Sequence, residues 1–400
     1  MLNSDSIPQH WKIVRLGDFV KTEKGKKPKV VSNTKTKKCS IPYINIKAFE
    51  KNIIDEFTDG VGCVICEDDD FLMVWDGSRS GYVGKAIKGA LGSTLVRIKL
   101  PEVDHNYAYY FLQSKFIEIN TKAKGVGIPH VDPGLVWNYI LPLPPIIEQH
   151  QIVSKIEELF SELDKGKQQL ETVKQQLKTY RQSLLNTIIR NVNIQLIGSI
   201  IEKFDQGWSP KCLNESSTDE DEWAVIKTTA VQHGSFVSIQ NKILPKELKP
   251  RIQHELKTGD ILITRAGPRI RVGVCCMVKK TRPKLINCDK VYRIRVKERI
   301  VMPEYLELVL NTPYYQHEIE KMKTGISDSG VNLTQSQFLK ISISIPHLEE
   351  QQKIVTEIES RLSVCDKIEE IIETSLKQSE SLRQSILKQA FEGKLVNANI

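Results

Sequence analysis

The amino-acid sequence repeats itself once over a long segment. Residues 144–190 return as residues 346–392, 202 positions later, and seventeen aligned positions are identical. The identical pairs include Pro144/Pro346, Glu148/Glu350, Gln149/Gln351 and Arg181/Arg383. In a solenoid, whose units stack end to end, the repeat recurs about every 20–50 residues. A single duplication at this much longer distance instead predicts two similar halves. Each half is expected to be a globular module followed by one long helix.

Both copies of the repeat carry an apolar stripe whose spacing alternates between three and four residues. This heptad pattern over about five heptads is typical of a helix that packs along a second helix. Proline precedes both predicted helices, with Pro142, Pro144 and Pro145 before the first and Pro346 before the second, and proline is tolerated at a helix start. The simplest arrangement buries the two stripes against each other in antiparallel helices. The residues predicted to pack are Ile156, Leu163, Leu170, Leu177 and Leu184 in the first copy and Ile358, Cys365, Ile372, Leu382 and Ile386 in the second.

The segments outside the repeat resemble each other more faintly. Gly25–Lys29 matches Gly207–Lys211, and Phe71–Val74 matches Ile261–Thr264. Short alternating runs broken by glycine and proline predict strands, and each module also contains helical patterns. The predicted strands are Tyr43–Ile46, Phe71–Val74, Leu95–Leu100, Ile261–Thr264, Val272–Val278 and Val291–Val296. The predicted fold class is α/β (α+β), with two strand-rich modules separated by two long antiparallel coiled-coil helices in a pseudo-two-fold arrangement. The predicted segments are 1–143 and 191–345 for the modules, 144–190 and 346–392 for the helices, and 393–400 for a tail.

Positive charge is concentrated in the modules. Lys and Arg outnumber Asp and Glu by 20 to 16 over residues 1–140 and by 23 to 17 over 191–345. The repeated segments are near neutral, with 7 against 6 over 141–190 and 7 against 10 over 346–400. Basic modules joined by near-neutral helices favour a polyanion bound by the modules. Duplex DNA, which has near two-fold symmetry, suits a duplicated protein.

Candidate DNA-binding residues lie in loops. Lysines crowd one glycine- and proline-punctuated stretch of the first module, where they could follow phosphates; the alternative is a solvated basic loop without a role. Arginines beside Gly81 and Gly267 could read guanine edges; the alternative is a turn with solvated arginines. The candidates are Lys26, Lys27, Lys29, Lys37, Lys38, Arg79 and Tyr82 in the first module and Ser209, Lys211, Arg265, Arg269, Arg271, Lys279 and Lys280 in the second.

The sequence shows no pattern typical of catalysis. It has no glycine-rich cofactor loop, no phosphate-binding P-loop and no Asn/Asp-Pro-Pro-Tyr/Phe methylation loop. Cys63 and Cys66 form a CxxC, but no second pair follows at zinc-ribbon spacing, so we expect core thiols and no metal. No signal peptide and no apolar run long enough to span a membrane is seen, which predicts a cytoplasmic protein.

Two Pro-rich elements ahead of the helices point to a known family. Ile140-Leu141-Pro142-Leu143-Pro144-Pro145-Ile146-Ile147-Glu148-Gln149 and Ile343-Ser344-Ile345-Pro346-His347-Leu348-Glu349-Glu350-Gln351 resemble the corresponding elements of the specificity subunit of type I restriction-modification systems. The opening Trp11–Asp18 and the segment Lys124–Ile128 are similar to the same family. The second module departs from the pattern, because it offers only Ile197-Gly198 where the first has its tryptophan-led opening.

This resemblance implies a DNA-recognition and scaffold subunit without catalytic activity of its own. Each module would read one half of a bipartite site in double-stranded DNA, and the helices would set the spacing and dock methyltransferase subunits, two in number. A restriction/translocase subunit would join the complex, and S-adenosylmethionine, ATP and magnesium would belong to the partners. Two alternatives remain open: a stand-alone nuclease or methyltransferase with unrecognised catalytic residues, and a purely structural coiled-coil adaptor.

Overall fold

A computed structural model describes residues 7–101, 103–125, 127–188, 192–325 and 327–396. The chain forms two compact units. Unit 1 comprises residues 1–170 with 374–400, and unit 2 comprises residues 171–373. Each unit therefore contains one module together with parts of both long helices.

Unit 1 builds its module from short strands around one four-stranded antiparallel sheet. That sheet has the order β2-β10-β7-β8, and a second sheet has the order β3-β5-β4-β9-β6, with β4 and β9 parallel. Strands β1 and β11 pair separately, directly before the first long helix. The strands are β1 Lys12–Arg15, β2 Lys21–Lys24, β3 Val31–Ser32, β4 Ile41–Ile44, β5 Phe57–Thr58, β6 Ile65–Cys66, β7 Phe71–Val74, β8 Val83–Lys85, β9 Gly89–Leu91, β10 Leu95–Lys99 and β11 Ile140–Leu143. The helices are α1 Ile46–Lys51, α2 His105–Ser114, α3 Phe116–Thr121, α4 Pro133–Val136 and the long α5 Ile146–Asn186.

Unit 2 repeats this topology. Its four-stranded antiparallel sheet has the order β13-β22-β18-β20, β14 pairs antiparallel with β17 and parallel with β21, and β12 pairs with β25 before the second long helix. The strands are β12 Ile194–Leu196, β13 Ile201–Gln206, β14 Ala224–Ile226, β15 Val231–Gln232, β16 Ser235–Phe236, β17 Asn241–Ile243, β18 Ile261–Thr264, β19 Ala266–Gly267, β20 Cys275–Met277, β21 Leu285–Ile286, β22 Val291–Val296, β23 Lys323–Thr324, β24 Val331–Leu333 and β25 Ser342–Ser344. The helices are α6 Ile197–Ile200, α7 Pro303–Leu310, α8 Pro313–Lys321, α9 Gln335–Phe338 and the long α10 Leu348–Phe391.

An inner strand of each four-stranded sheet carries an arginine at the same place, with a side chain that is 12% exposed in unit 1 and 1% exposed in unit 2. Arg97 on β10 faces Glu23 on β2, and Arg293 on β22 faces Asp205 on β13. Both guanidiniums form ion pairs with the carboxylate opposite. The faint likeness between the modules in sequence therefore corresponds to one sheet architecture built twice.

The long helices run antiparallel inside each unit. In unit 1, Arg383 near the end of α10 forms an ion pair with Asp164 of α5, and Phe391 lies in the same core as Ile152. In unit 2, Arg181 bonds Asp366 at 2.7 Å, and Lys174 bonds Glu373 at 3.2 Å. The carboxyl-terminal part of each long helix joins a module core. Leu184 of α5 lies in the same core as Ile261 of β18, and Phe391 of α10 lies 5.2 Å from the ring centroids of both Tyr107 and Phe111.

The predicted seam is buried along most of its length. Ile156, Leu177, Leu184, Ile358, Cys365, Ile372 and Ile386 are buried. Leu163 and Leu170 are only half-buried, and Leu382 is 50% exposed, which differs from the prediction. These three leucines line an open groove of about 620 Å³ with Gly166, Ser375 and Ser379, because small residues leave the seam unfilled there.

Several element boundaries differ from those expected from periodicity. The run 272–278, predicted as one strand, forms β20 only over Cys275–Met277, because Gly273 adopts a left-handed turn (φ +85°) against Ile319. The predicted strand 43–46 is β4 at Ile41–Ile44. The predicted boundary between 190 and 191, the end of the tail (397–400), Val126 of the segment 124–128 and the amino-terminal residues 1–6 lie outside the described residues.

Candidate nucleic-acid interface

A glycine in each unit lets a surface loop leave the central sheet. A β-carbon on Gly25 would lie 2.1 Å from the carbonyl oxygen of Gly92, and one on Gly207 would lie 2.0 Å from that of Asn287. Only glycine tolerates such approaches. The duplicated glycines start the two loops that carry the predicted basic residues.

In unit 1 the loop after Gly25 presents its lysines to solvent. Every candidate lysine in it is exposed, and none forms an ion pair with another described residue: Lys26, Lys27, Lys29, Lys37 and Lys38. By contrast, Lys24 in β2 is bound to Asp76 at 2.9 Å. The loop therefore keeps a positive charge that internal carboxylates do not neutralise.

Arg79 lies in the turn between Gly77 and Gly81, both of which have positive φ. Its guanidinium stands 4.2 Å from the ring centroid of Tyr82, and its Nε is 3.4 Å from Glu50. The side chain remains 49% exposed. The predicted Arg79/Tyr82 pair is therefore assembled at the surface, although Glu50 offsets part of its charge.

In unit 2 the corresponding loop borders a cationic cleft of about 650 Å³. Its lining includes Lys211, which was predicted, and three lysines that were not: Lys227, Lys242 and Lys290. A single lining carboxylate, Asp289, is bound by the hydroxyl of Ser209. Lys227 directly follows β14, Lys242 lies in β17 and Lys290 directly precedes β22. These lysines are too far apart in sequence to form a charge run, so sequence reasoning missed them.

Arg265 follows β18 at the edge of the same cleft. Its backbone N–H donates to the carbonyl of Lys290, and its Nε donates to the carbonyl of Asp289 at 2.8 Å. The guanidinium lies 5.6 Å from the ring centroid of Tyr292. The fold thus brings Arg265 together with Ser209 and Lys290, three residues that are far apart in the sequence.

Three other predicted residues are engaged in contacts inside unit 2. Arg269 bonds Asp328 and Glu320, both at 2.8 Å, and these carboxylates raise its pKa. Arg271 donates to the Gln232 side chain and to the carbonyls of Thr228 and Val231. Lys279 bonds Glu359 of α10 at 2.6 Å, which raises the pKa of the lysine, while Lys280 is exposed. Arg271 and Lys279 therefore stabilise the fold of unit 2 through these contacts.

The described residues contain no cluster of three or more His, Cys, Asp or Glu side chains placed to hold a metal ion. Cys66 of the CxxC is buried and donates to the carbonyls of Gly89 and Ile87, and burial raises the pKa of its thiol to about 11. All eight cysteines are unpaired. No helix in the described ranges is long and apolar enough to cross a membrane.

The fold and the site define a class of protein with two copies of one mixed α/β module, each presenting basic loops, and two long helices. A family model described as "Type I restriction modification DNA specificity domain" matches residues 8–175 and 195–378. The chain belongs to this family of type I restriction-modification specificity domains, which it carries twice.

Curated relatives agree with this assignment. The chain is 27% identical over 432 aligned positions to the type I restriction enzyme MjaVIII specificity subunit of Methanocaldococcus jannaschii, covering 98% of this chain and 95% of that protein. It is 40% identical over 179 residues to the EcoEI specificity subunit of Escherichia coli, covering 45% of this chain and 30% of the relative. The match to the EcoEI subunit thus spans less than a third of that protein.

Solved structures share the fold. One of them has a TM-score of 0.74 at 18% sequence identity, and the match covers 97% of this chain and 99% of that chain. It is described as showing the structural basis underlying complex assembly and conformational transition of the type I R-M system. The HsdS subunit from Thermoanaerobacter tengcongensis has a TM-score of 0.57 at 18% identity, covering 97% and 98%.

These findings confirm the family and the fold class that the sequence predicted. Because the relatives are named specificity subunits, they support a subunit that recognises DNA without catalysing a reaction. They do not support the alternative of a stand-alone nuclease or methyltransferase.

Proposed function

We propose that each module reads one half of a bipartite sequence in double-stranded DNA. The observation that carries this proposal is the duplication of one basic module, seen in both the family match and the sheet topology. Two modules of one fold with different loop residues would recognise two different half-sites. The long helices would separate the modules and bind two methyltransferase subunits, through which a restriction/translocase subunit joins.

Within each module we assign affinity and specificity to different residues. Exposed or cleft lysines are suited to phosphates, which carry no sequence information but position the protein. This role falls to Lys26, Lys27, Lys29, Lys37 and Lys38 in unit 1 and to Lys211, Lys227, Lys242 and Lys290 in unit 2. Strong dependence of binding on salt would follow, because each neutralised phosphate releases counterions.

Base reading is assigned to Arg265 and to Arg79. Arginine reads guanine through two parallel hydrogen bonds in the major groove. Among the described residues Arg265 makes one side-chain hydrogen bond, through Nε, whereas Arg271 makes three. Arg265 is therefore better placed than Arg271 to turn its guanidinium toward a base, and Arg269 would first have to leave its two carboxylates.

Methyl transfer and cleavage belong, in this proposal, to partner subunits, together with S-adenosylmethionine, ATP and magnesium. A DNA target and eight unpaired cysteines favour a reducing, cytoplasmic location. The chain itself would supply sequence recognition and the scaffold.

The decisive experiment exchanges one module at a time. Residues 1–143 are replaced by the corresponding module of another specificity subunit, and the complex with a methyltransferase partner is used to select duplexes from a random library. One half of the recognised sequence should change while the other half and the spacer stay the same. The matched control exchanges residues 191–345 and should change the other half. If both halves change together, or if the wild-type complex selects no sequence, the proposal is wrong.

A further inference from the structure

The duplicated glutamine at the start of each long helix makes the same contacts in both units. Gln149 is the fourth residue of α5 and Gln351 is the fourth residue of α10. Both are buried, with 2% and 0% of their surface exposed. Neither residue lies in the basic loops, so the proposed DNA contacts do not explain why both are fixed in this way.

Each glutamine uses both ends of its amide. In unit 1, Gln149 Nε2 donates to the carbonyl of Pro144 at 2.8 Å, and Oε1 accepts from the backbone N–H of Asp104 at 2.9 Å. In unit 2, Gln351 Nε2 donates to the carbonyl of Pro346 at 2.8 Å, and Oε1 accepts from the N–H of Met302 at 2.8 Å. Gln351 also donates to the carbonyl of Ile300 at 2.9 Å.

The backbone groups reached by the glutamines are the N-caps of module helices. Asp104 precedes α2 and Met302 precedes α7. The N–H of an N-cap is often satisfied by an acidic or amide side chain three residues later in the same helix. Here that position is Tyr107 in α2 and Tyr305 in α7, neither of which can accept as a glutamate would. The glutamine of a different helix supplies the acceptor, so it ties the module helix to the long helix.

A tyrosine reinforces the same joint in both units. Tyr107 Oη donates to the carbonyl of Pro142 at 2.7 Å, and Tyr305 Oη donates to the carbonyl of Ser344 at 3.0 Å. Pro142 and Ser344 occupy matching positions in β11 and β25, the strands that lead into the long helices. Each module helix is thus bound to the last strand and to the first turn of the long helix by buried, directional bonds.

We propose that Gln149 and Gln351 are positioning residues that fix the angle between each module and its long helix, and thereby set how strictly the protein selects the spacing of two half-sites. Hydrogen bonds constrain direction as well as distance. A buried amide that bonds two backbone groups at Gln149 and three at Gln351 leaves little freedom for the module helix to rotate on the long helix. This inference rests on the proposed function, since spacing matters only if both modules read DNA.

The test replaces Gln149 with methionine, which is close in shape but makes neither hydrogen bond. The wild-type chain with its methyltransferase partner first selects duplexes from a random library. Affinities are then measured for the selected duplex and for duplexes with one base pair added to or removed from the spacer. We expect Gln149→Met to keep the base preference of both half-sites, while its discrimination against altered spacers falls about fivefold, the equivalent of one lost hydrogen bond.

The matched control is Gln151→Met, an exposed glutamine on the same turn of α5, which should behave as wild type. If Gln149→Met fails to fold, Tyr107→Phe decides, because it removes one hydroxyl bond and keeps the buried ring; it should relax spacing discrimination in the same direction. Unchanged discrimination in the folded variants, or an equal change in Gln151→Met, overturns the positioning role. A wild-type complex that selects no bipartite duplex would instead refute the proposed function.

Discussion

Removing Arg293 should measure how strongly the central sheet of unit 2 depends on its buried arginine. The Arg293 side chain is 1% exposed. It donates from Nε and Nη2 to the carboxylate of Asp205 at 3.0 and 2.5 Å, and from Nη1 and Nη2 to the carbonyls of Glu255 and Gln253, both at 2.8 Å. Arg293→Ala removes all four bonds and leaves the acceptors without their donor.

The size of the effect follows from burial. Breaking a buried ion pair by removing one partner costs about 3–5 kcal/mol. The Asp205 side chain is 25% exposed, so water can hydrate part of the orphaned carboxylate, and we expect a loss near the lower end, about 3 kcal/mol. For a unit of this size the melting temperature falls by roughly 2–4 °C per kcal/mol, which gives a decrease of about 6–12 °C.

Differential scanning calorimetry of the full chain is the assay. Lys203→Ala is the control, because Lys203 contacts the same Asp205 at 3.4 Å but is 43% exposed. Exposed pairs contribute about 0–1 kcal/mol, so this variant should melt close to wild type. If Arg293→Ala melted within about 2 °C of wild type, or if both variants shifted equally, the reasoning from burial would be wrong.

Three further predictions follow from the seam, the first module and the basic loops. In thermal melting, Leu177→Asp should lower the free energy of unfolding by about 3 kcal/mol or more because Leu177 is buried. Leu170→Asp should lower it by less than half as much because Leu170 borders the open groove. Equal losses of unfolding free energy would show that the groove is filled in solution. Burial alone would raise the pKa of Asp70, but hydrogen bonds from the Glu67 backbone and from Arg97 lower it, so its contribution to stability is present above the unfolded pKa and is lost as pH falls through the folded pKa. Chemical unfolding should therefore show stability decreasing below about pH 4, with a smaller decrease in Arg97→Met; an equal decrease in both would contradict this origin. Arg265→Ala should relax the base preference at one base pair of one half-site by about 1–3 kcal/mol. The triple alanine variant of the first loop should instead weaken binding to all sequences and flatten the salt dependence by up to about three units. Sequence selection and salt titration test this contrast, which is disproved if both variants change binding in the same way. The triple variant replaces Lys26, Lys27 and Lys29.

The sequence alone determined the duplicated architecture and most of its elements. Heptad spacing is a local property, and it predicted two long helices that the structure has at Ile146–Asn186 and Leu348–Phe391. Alternating runs predicted Phe71–Val74, Ile261–Thr264 and Val291–Val296, which are strands with those bounds. Such patterns suffice because the identity of an element depends mainly on which face of its own residues is apolar.

Tertiary structure decided which side chains share a site and which are free to act. Lys227, Lys242 and Lys290 line one cleft only because β14, β17 and β22 lie near it, so no run of charge marked them. Arg271 and Arg265 look equivalent in sequence, but the first is held by three acceptors and the second by one. The partners of a polar side chain come from distant segments, and local sequence carries no record of that pairing.

The repeated glutamines show both contributions in one residue. The sequence marked Gln149 and Gln351 as identical in the two copies, but not why. Their amides act on Asp104 and Met302, 45 and 49 residues earlier in the chain. Periodicity within a helix could predict that the helix forms and which face it buries. It could not predict that each glutamine would accept a hydrogen bond from the N-cap of a module helix. That contact joins two segments far apart in the sequence, and only the folded chain brings them together.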